Sequence, residues 1–179
     1  MTVAVPEVLN SIEQSGLSSW LRGSDSWFGF YFVLLVHTLG LSLLVGANVV
    51  VDTCILGIAP GVPLKSLKRL FGIMWAGFWL NVTTGIFLLI AYPTKSLTNP
   101  MFYVKLTLIT LGMITALRMK SQVFDDRLSE PDMVAKGKPM AKWSLALWIM
   151  SITAGRLLAY TYTYVLYGVT AVIVFKFPG

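Results

Sequence analysis

Two stretches of 25 residues, Trp27 to Val51 and Leu70 to Thr94, carry no formal charge. At about 1.5 Å of rise per residue, each is long enough as a helix to cross a hydrocarbon layer of roughly 30 Å. Inside such a layer a helix satisfies its own backbone polar groups. The reading is all-α: a polytopic membrane protein.

The rest of the chain extends that reading. A third apolar stretch opens at Asn99-Pro100, a helix-start signal, and runs from Met101 to Leu117 with Lys105 as its only charge. Between Trp143 and Phe175 the only formal charge is Arg156. This is read as one crossing, residues 143 to 163, and a tyrosine-rich helical or interfacial tail, residues 164 to 179. Tyr160, Tyr162, Tyr164 and Tyr167, at the end of the crossing and the start of the tail, suit either an aromatic belt or a neighbouring chain. The expected fold is a four-transmembrane-helix bundle over residues 27 to 163. Residues 1 to 26 precede it, with Val5, Val8, Leu9, Ile12, Leu17, Trp20 and Leu21 near helical spacing. They predict one amphipathic helix lying in the interface, started by Pro6 and broken at Gly23. No Lys or Arg precedes Arg22, so no basic region marks a secretory signal.

Charge sets the expected orientation. The segment after the first span, 52 to 69, carries Lys65, Lys68 and Arg69, and a polar loop from Arg118 to Lys142 carries six basic residues. The opposite side has Arg22 and Lys95. The positive-inside rule therefore places 52–69 and 118–142 in the cytoplasm, with the chain in a bacterial inner membrane. The net charge of +6 is thus spent on topology, and no nucleic-acid partner is expected. A single cysteine excludes an intrachain disulfide framework, and a single histidine excludes zinc sites built on two histidines of one chain. No GxxxxGK[ST] or GxGxxG occurs.

Three ionisable side chains fall inside the expected spans: His37, Lys105 and Arg156. Each costs about 2.5–3.5 kcal/mol on insertion scales, so each needs a reason. Counted from their helix starts, all three reach the outer half of the bundle. Taken singly, His37 can serve a neighbouring helix as a hydrogen-bond partner, and Lys105 or Arg156 can snorkel to the interface. Taken together they match the needs of a heme: histidine as axial ligand, a neutral lysine amine as the second, and a guanidinium for a propionate. Gly40 leaves room beside His37, and Gly77, Asn81 and Gly85 make a narrow stripe on the second helix. That stripe serves close helix packing equally well. Met74 and Met113 are alternative soft ligands or simply core.

Several of these residues form a familiar order. His37-Thr-Leu-Gly40 is followed by Gly46 and Asp52 on the first span; Leu67-Lys68-Arg69-Leu70, Trp75-Ala76-Gly77-Phe78 and Thr84-Gly85 follow; then comes Asn99-Pro100-Met-Phe-Tyr-Val-Lys105. Over residues 27 to 120 this resembles a group of small bacterial four-helix membrane proteins of uncharacterised function. More distantly it is similar to HemJ-type protoporphyrinogen oxidases and to the membrane domain of CopD-type copper-resistance proteins. A weaker echo lies in Gly155-Arg156-Leu-Leu-Ala-Tyr160. The oxidase resemblance implies heme b held by a first-helix histidine and a third-helix lysine, here His37 and Lys105. The oxidases also carry a basic residue and an aromatic–histidine pattern where this chain reads Val51-Asp52-Thr53-Cys54. What carries over is the scaffold and ligand pair rather than that oxidase activity.

The expected function is a membrane b-type heme protein engaged in electron transfer or quinone-linked redox. If an enzyme, it is a heme-dependent oxidoreductase. The bilayer and a quinone are the expected partners, with a homo-oligomer or a larger membrane complex as its setting. Two other classes stand beside this one: a non-catalytic accessory subunit, and a metal-ion or small-solute transporter.

Overall fold

The computed structural model describes residues 7–23, 29–59, 61–125, 127–162 and 174–175. Among them are seven α-helices: α1 Glu7–Glu13, α2 Gly16–Gly23, α3 Phe30–Ile55, α4 Leu70–Ala91, α5 Pro93–Leu97, α6 Pro100–Gln122 and α7 Glu130–Tyr160. A 3-10 turn, Leu64–Arg69, leads directly into α4. Two residues of strand, Thr161–Tyr162, pair antiparallel with Val174–Phe175 beyond α7. The fold is all-α apart from that pair.

Among the described residues three helices are long and apolar enough to cross a membrane: α3, α4 with its preceding turn, and α6. Their outward faces carry large apolar side chains such as Tyr31, Leu35, Trp79, Ile86 and Val104, all exposed. Such a surface is unsuited to water and suited to lipid. The inward faces supply the core: Leu44, Val51 and Ile55 of α3, Phe71 and Met74 of α4, Met119 of α6 and Trp148 of α7.

Helix ends follow local chemistry. Asn99 caps α6, its side chain accepting from the Met101 N–H at 2.9 Å, while Pro100 occupies the first turn, where its missing N–H costs nothing. After Leu56, α3 stops at Gly57, whose φ of +77° lets its N–H reach Cys54 O, with Ile58 N–H on Thr53 O. This paired closure satisfies two end carbonyls and favours glycine at the left-handed position.

The structure corrects several expected boundaries. Asp52 does not end the first helix; α3 runs on to Ile55, and Asp52 is fully buried. The stretch expected as a polar loop, Arg118 to Lys142, is mostly helical. α6 continues to Gln122 and α7 starts at Glu130, since charged residues on a solvated face do not stop a helix. Glu130 and Asp132 favour that start through the helix dipole. Pro139 stands inside α7 without ending it. The single N-terminal helix is two. Ser15 breaks it by capping α2, its hydroxyl oxygen accepting the Ser18 N–H at 3.3 Å. Of the expected tail, only Val174–Phe175 lies among the described residues, as strand; Pro6, Trp27, Tyr164 and Tyr167 lie outside them.

Candidate functional site

The site begins with a helix crossing. A Cβ added at Gly77 would lie 2.6 Å from the Leu44 amide nitrogen and 2.8 Å from Gly40 O. One added at Gly40 would sit 3.0 Å from the Asn81 nitrogen. Only glycine permits α3 and α4 to approach this closely, so Gly40 and Gly77 are packing residues. Beyond the crossing, Asn81 donates from its side-chain amide to His37 O at 2.9 Å, tying the two helices again.

This contact brings His37 against Thr84, with His37 Nδ1 2.9 Å from Thr84 Oγ1. The Thr84 hydroxyl donates back along its own helix to Leu80 O at 2.7 Å. With that hydroxyl hydrogen on Leu80 O, the Thr84 oxygen can accept from a protonated His37 Nδ1. The lone pair of the imidazole is then on Nε2. Gly85 lies beside the same ring: a methyl there would be 3.5 Å from Cε1.

A cavity of about 450 Å³ opens between α3, α4, α6 and the far end of α7. That volume falls in the usual range for sites that bind small organic ligands, roughly 300–1,000 Å³. His37, Asn81, Gly85 and Lys105 all line it; Phe78, Phe102 and Ile109 are among its apolar walls. Lys105 reaches it from α6, half-buried, with its stem lying along α7. Gly155 makes space for that stem, since a Cβ there would be 3.6 Å from Lys105 Cε and 3.8 Å from Nζ. Ser96 and Thr110 add hydroxyls to the lining.

The structure thus brings together His37, Lys105, Asn81 and Gly85. It does not bring the others there. Arg156 is exposed on α7 and is not part of the cavity lining. Met74 and Met113 are buried in the hydrophobic core, away from that lining. Among the described residues no three His, Cys, Asp or Glu side chains gather around a common point, so a bare ion has no ready ligand shell of these types there.

Two features escaped the sequence reading. Thr84 was visible only as the neighbour of Gly85; its role depends on a partner 47 positions away. The second is a polar cluster in the core. Asn48 donates at 2.6 Å to Asp52 Oδ2 and at 2.7 Å to Ser144 Oγ, joining α3 to α7. The i, i+4 spacing of Asn48 and Asp52 is the one signal that could have found it.

No family model, curated protein or solved structure matches the chain.

Proposed function

We propose that the chain is an integral membrane b-type heme protein in which His37 would hold the iron. The observation that carries this reading is the imidazole held at Nδ1 by Thr84 in a side chain that lines the apolar cavity, an arrangement that suits a lone pair on Nε2. Metal-bound histidines nearly always have their other ring nitrogen engaged in this way, because it fixes tautomer and ring orientation. The donor set suits heme: one imidazole nitrogen, one amine, and walls that are otherwise largely apolar. Lys105 is the second ligand or its close neighbour, the role that the resemblance to the protoporphyrinogen oxidases implies. When bound, heme b supplies a one-electron ferric/ferrous couple, suited to exchange with a quinone or a partner chain. The protein's part is to orient His37 through Thr84, to hold Lys105 against Gly155 and to keep water from the ring.

Topology belongs to the same reading. The half of α7 from Trp143 to Tyr160, with Arg156 as its one formal charge, forms a fourth crossing beside α6 and α3. Lys and Arg then put 52–69 and 118–142 in the cytoplasm of a bacterium. Gly46 and Gly72 look onto open space on α3 and α4, which favours close approach by another subunit's helix.

The purified protein should show a reduced-minus-oxidised α-band, and His37→Ala should be folded and colourless. A colourless parent would remove heme and leave the accessory-subunit reading, with transport behind it. In a Cys54→Ser background, a Ser129→Cys variant should resist impermeant thiol reagents in intact cells. Labelling there from outside would reverse the orientation.

A further inference from the structure

Asp52 lies outside the cavity and has no part in the proposed heme site. It has no exposed surface, and its Oδ1 makes no hydrogen bond, whereas Oδ2 accepts from Asn48 at 2.6 Å. Asn48 and Ser144 are as deeply buried. Among the described residues no Lys, Arg or His nitrogen lies within 4.0 Å of the Asp52 carboxylate oxygens; the Arg22–Glu13 ion pair lies near the other end of the bundle.

The charged side chains on the elements packed around this end are exposed: Glu130, which accepts from the Leu64 N–H, and Asp132 at the start of α7, and the cations as well. Lys65, Lys68 and Arg69 of the 3-10 turn are exposed, as are Arg118 and Lys120 of α6. So are Lys136, Lys138 and Lys142 of α7. Leu64, Leu67, Met119 and Ala141 fill the inward positions instead. His37 and Lys105 face the separate cavity. Asp52 also stands in the last turn of α3, where the helix carbonyls add partial negative charge.

An unpaired anion in such a place carries a desolvation cost that attaching a proton removes. We propose that Asp52 is a proton-exchange site, its carboxyl un-ionised at rest and able to release and rebind one proton at Oδ1. The step balances simply: water at the basic end supplies H⁺, an O–H bond forms, and on release that bond breaks with no electron transferred. The route is short, because Asp52 is three residues from the end of α3, about 5 Å along its axis. Asn48 is a positioning residue that holds Oδ2, itself oriented by its second bond to Ser144, and this leaves Oδ1 for the proton.

Infrared spectroscopy of the full-length protein in lipid nanodiscs tests this without reference to heme, and can be repeated in His37→Ala. The parent at neutral pH should show a carboxylic-acid carbonyl stretch that is missing from Asp52→Asn. The band should shift in D2O and give way to carboxylate bands as the pH is raised. Should Asp52→Asn fail to fold, ¹³C-aspartate labelling of the parent assigns the band to aspartate, and Ser144→Ala should shift its frequency. A parent with carboxylate bands alone at neutral pH would overturn the proposal. So would an acid band that ignores D2O, since that proton does not exchange.

Discussion

The same four long helices build two unlike regions. At the basic end α3, α4, α6 and α7 pack closely: Trp148 lies against Gly112, Phe71 meets Phe124 edge to face at 5.2 Å, and Gly137 admits Ile55. Toward the other end the same helices leave a cavity of about 450 Å³. The difference lies in what faces the axis. Large side chains placed opposite glycines interdigitate and exclude space. Gly85 beside His37, and Gly155 beside Lys105, face polar side chains that do not fill what the glycines leave. A polar group in the closed region must find a protein partner or go without, as Asp52 Oδ1 does. In the open region a polar group faces room for a ligand.

This contrast can be broken most severely at the crossing shared by both regions. Gly77→Leu should force α3 from α4 and cost about 3 kcal/mol or more, because backbone atoms 2.6 and 2.8 Å from the new Cβ cannot give way. Loss of folded protein in a denaturant or thermal melt is the expected result. Gly46→Ala, with nothing within 4 Å, is the control and should melt like the parent.

A smaller effect separates the regions. Asn48→Ala strips the Asp52 carboxyl of its donor and should cost about 1–3 kcal/mol. Any heme spectrum should stay unchanged. The double variant Asn48→Leu/Asp52→Leu should recover much of that loss, since apolar replacement of a buried polar pair is often neutral. Reversible unfolding of both variants against the parent measures this. A double variant weaker than Asn48→Ala would mean that the closed region depends on its polar cluster for packing.

Thr84→Val acts in the open region alone. Its stability cost should stay near about 1 kcal/mol, while heme affinity falls about 10–100-fold as His37 loses its orienting partner. Titration of heme into the apoprotein distinguishes the two quantities. The gentlest change is at Lys105. Lys105→Met should keep a low-spin spectrum with a shifted potential, and Lys105→Ala should become high-spin, both with little change in melting. Spectra like the parent in both would leave Lys105 as a side chain that only reaches toward the interface.

Helix positions were legible because hydrophobic run length is a local property. The 25-residue uncharged stretches predicted α3 and α4, and Asn99-Pro100 marked the start of α6 to the residue. Charge was a poorer guide to ends. Asp52 reads as a terminus when lipid is the assumed surrounding, but its carboxyl is satisfied in part by Asn48, which also bonds Ser144, so the helix continues past it. Arg118 to Lys142 reads as a loop for the same reason, yet all its cations but Arg127 lie on exposed helix faces.

For the site, the sequence by itself determined that His37 and Lys105 are ionisable groups in apolar stretches, and that Gly40, Gly77 and Gly85 stand at helical intervals. Only the tertiary structure decided which of these share a space. Helix rotation and crossing depth depend on contacts between residues far apart in the chain, here Gly40 with Gly77 and Asn81 with His37. Those contacts bring Lys105 to the cavity and leave Arg156 outside it, although both had been counted to the same depth. Depth along a helix can be read from spacing. Which way a side chain faces is settled by the partner helix, and that information lies in no single segment of the chain.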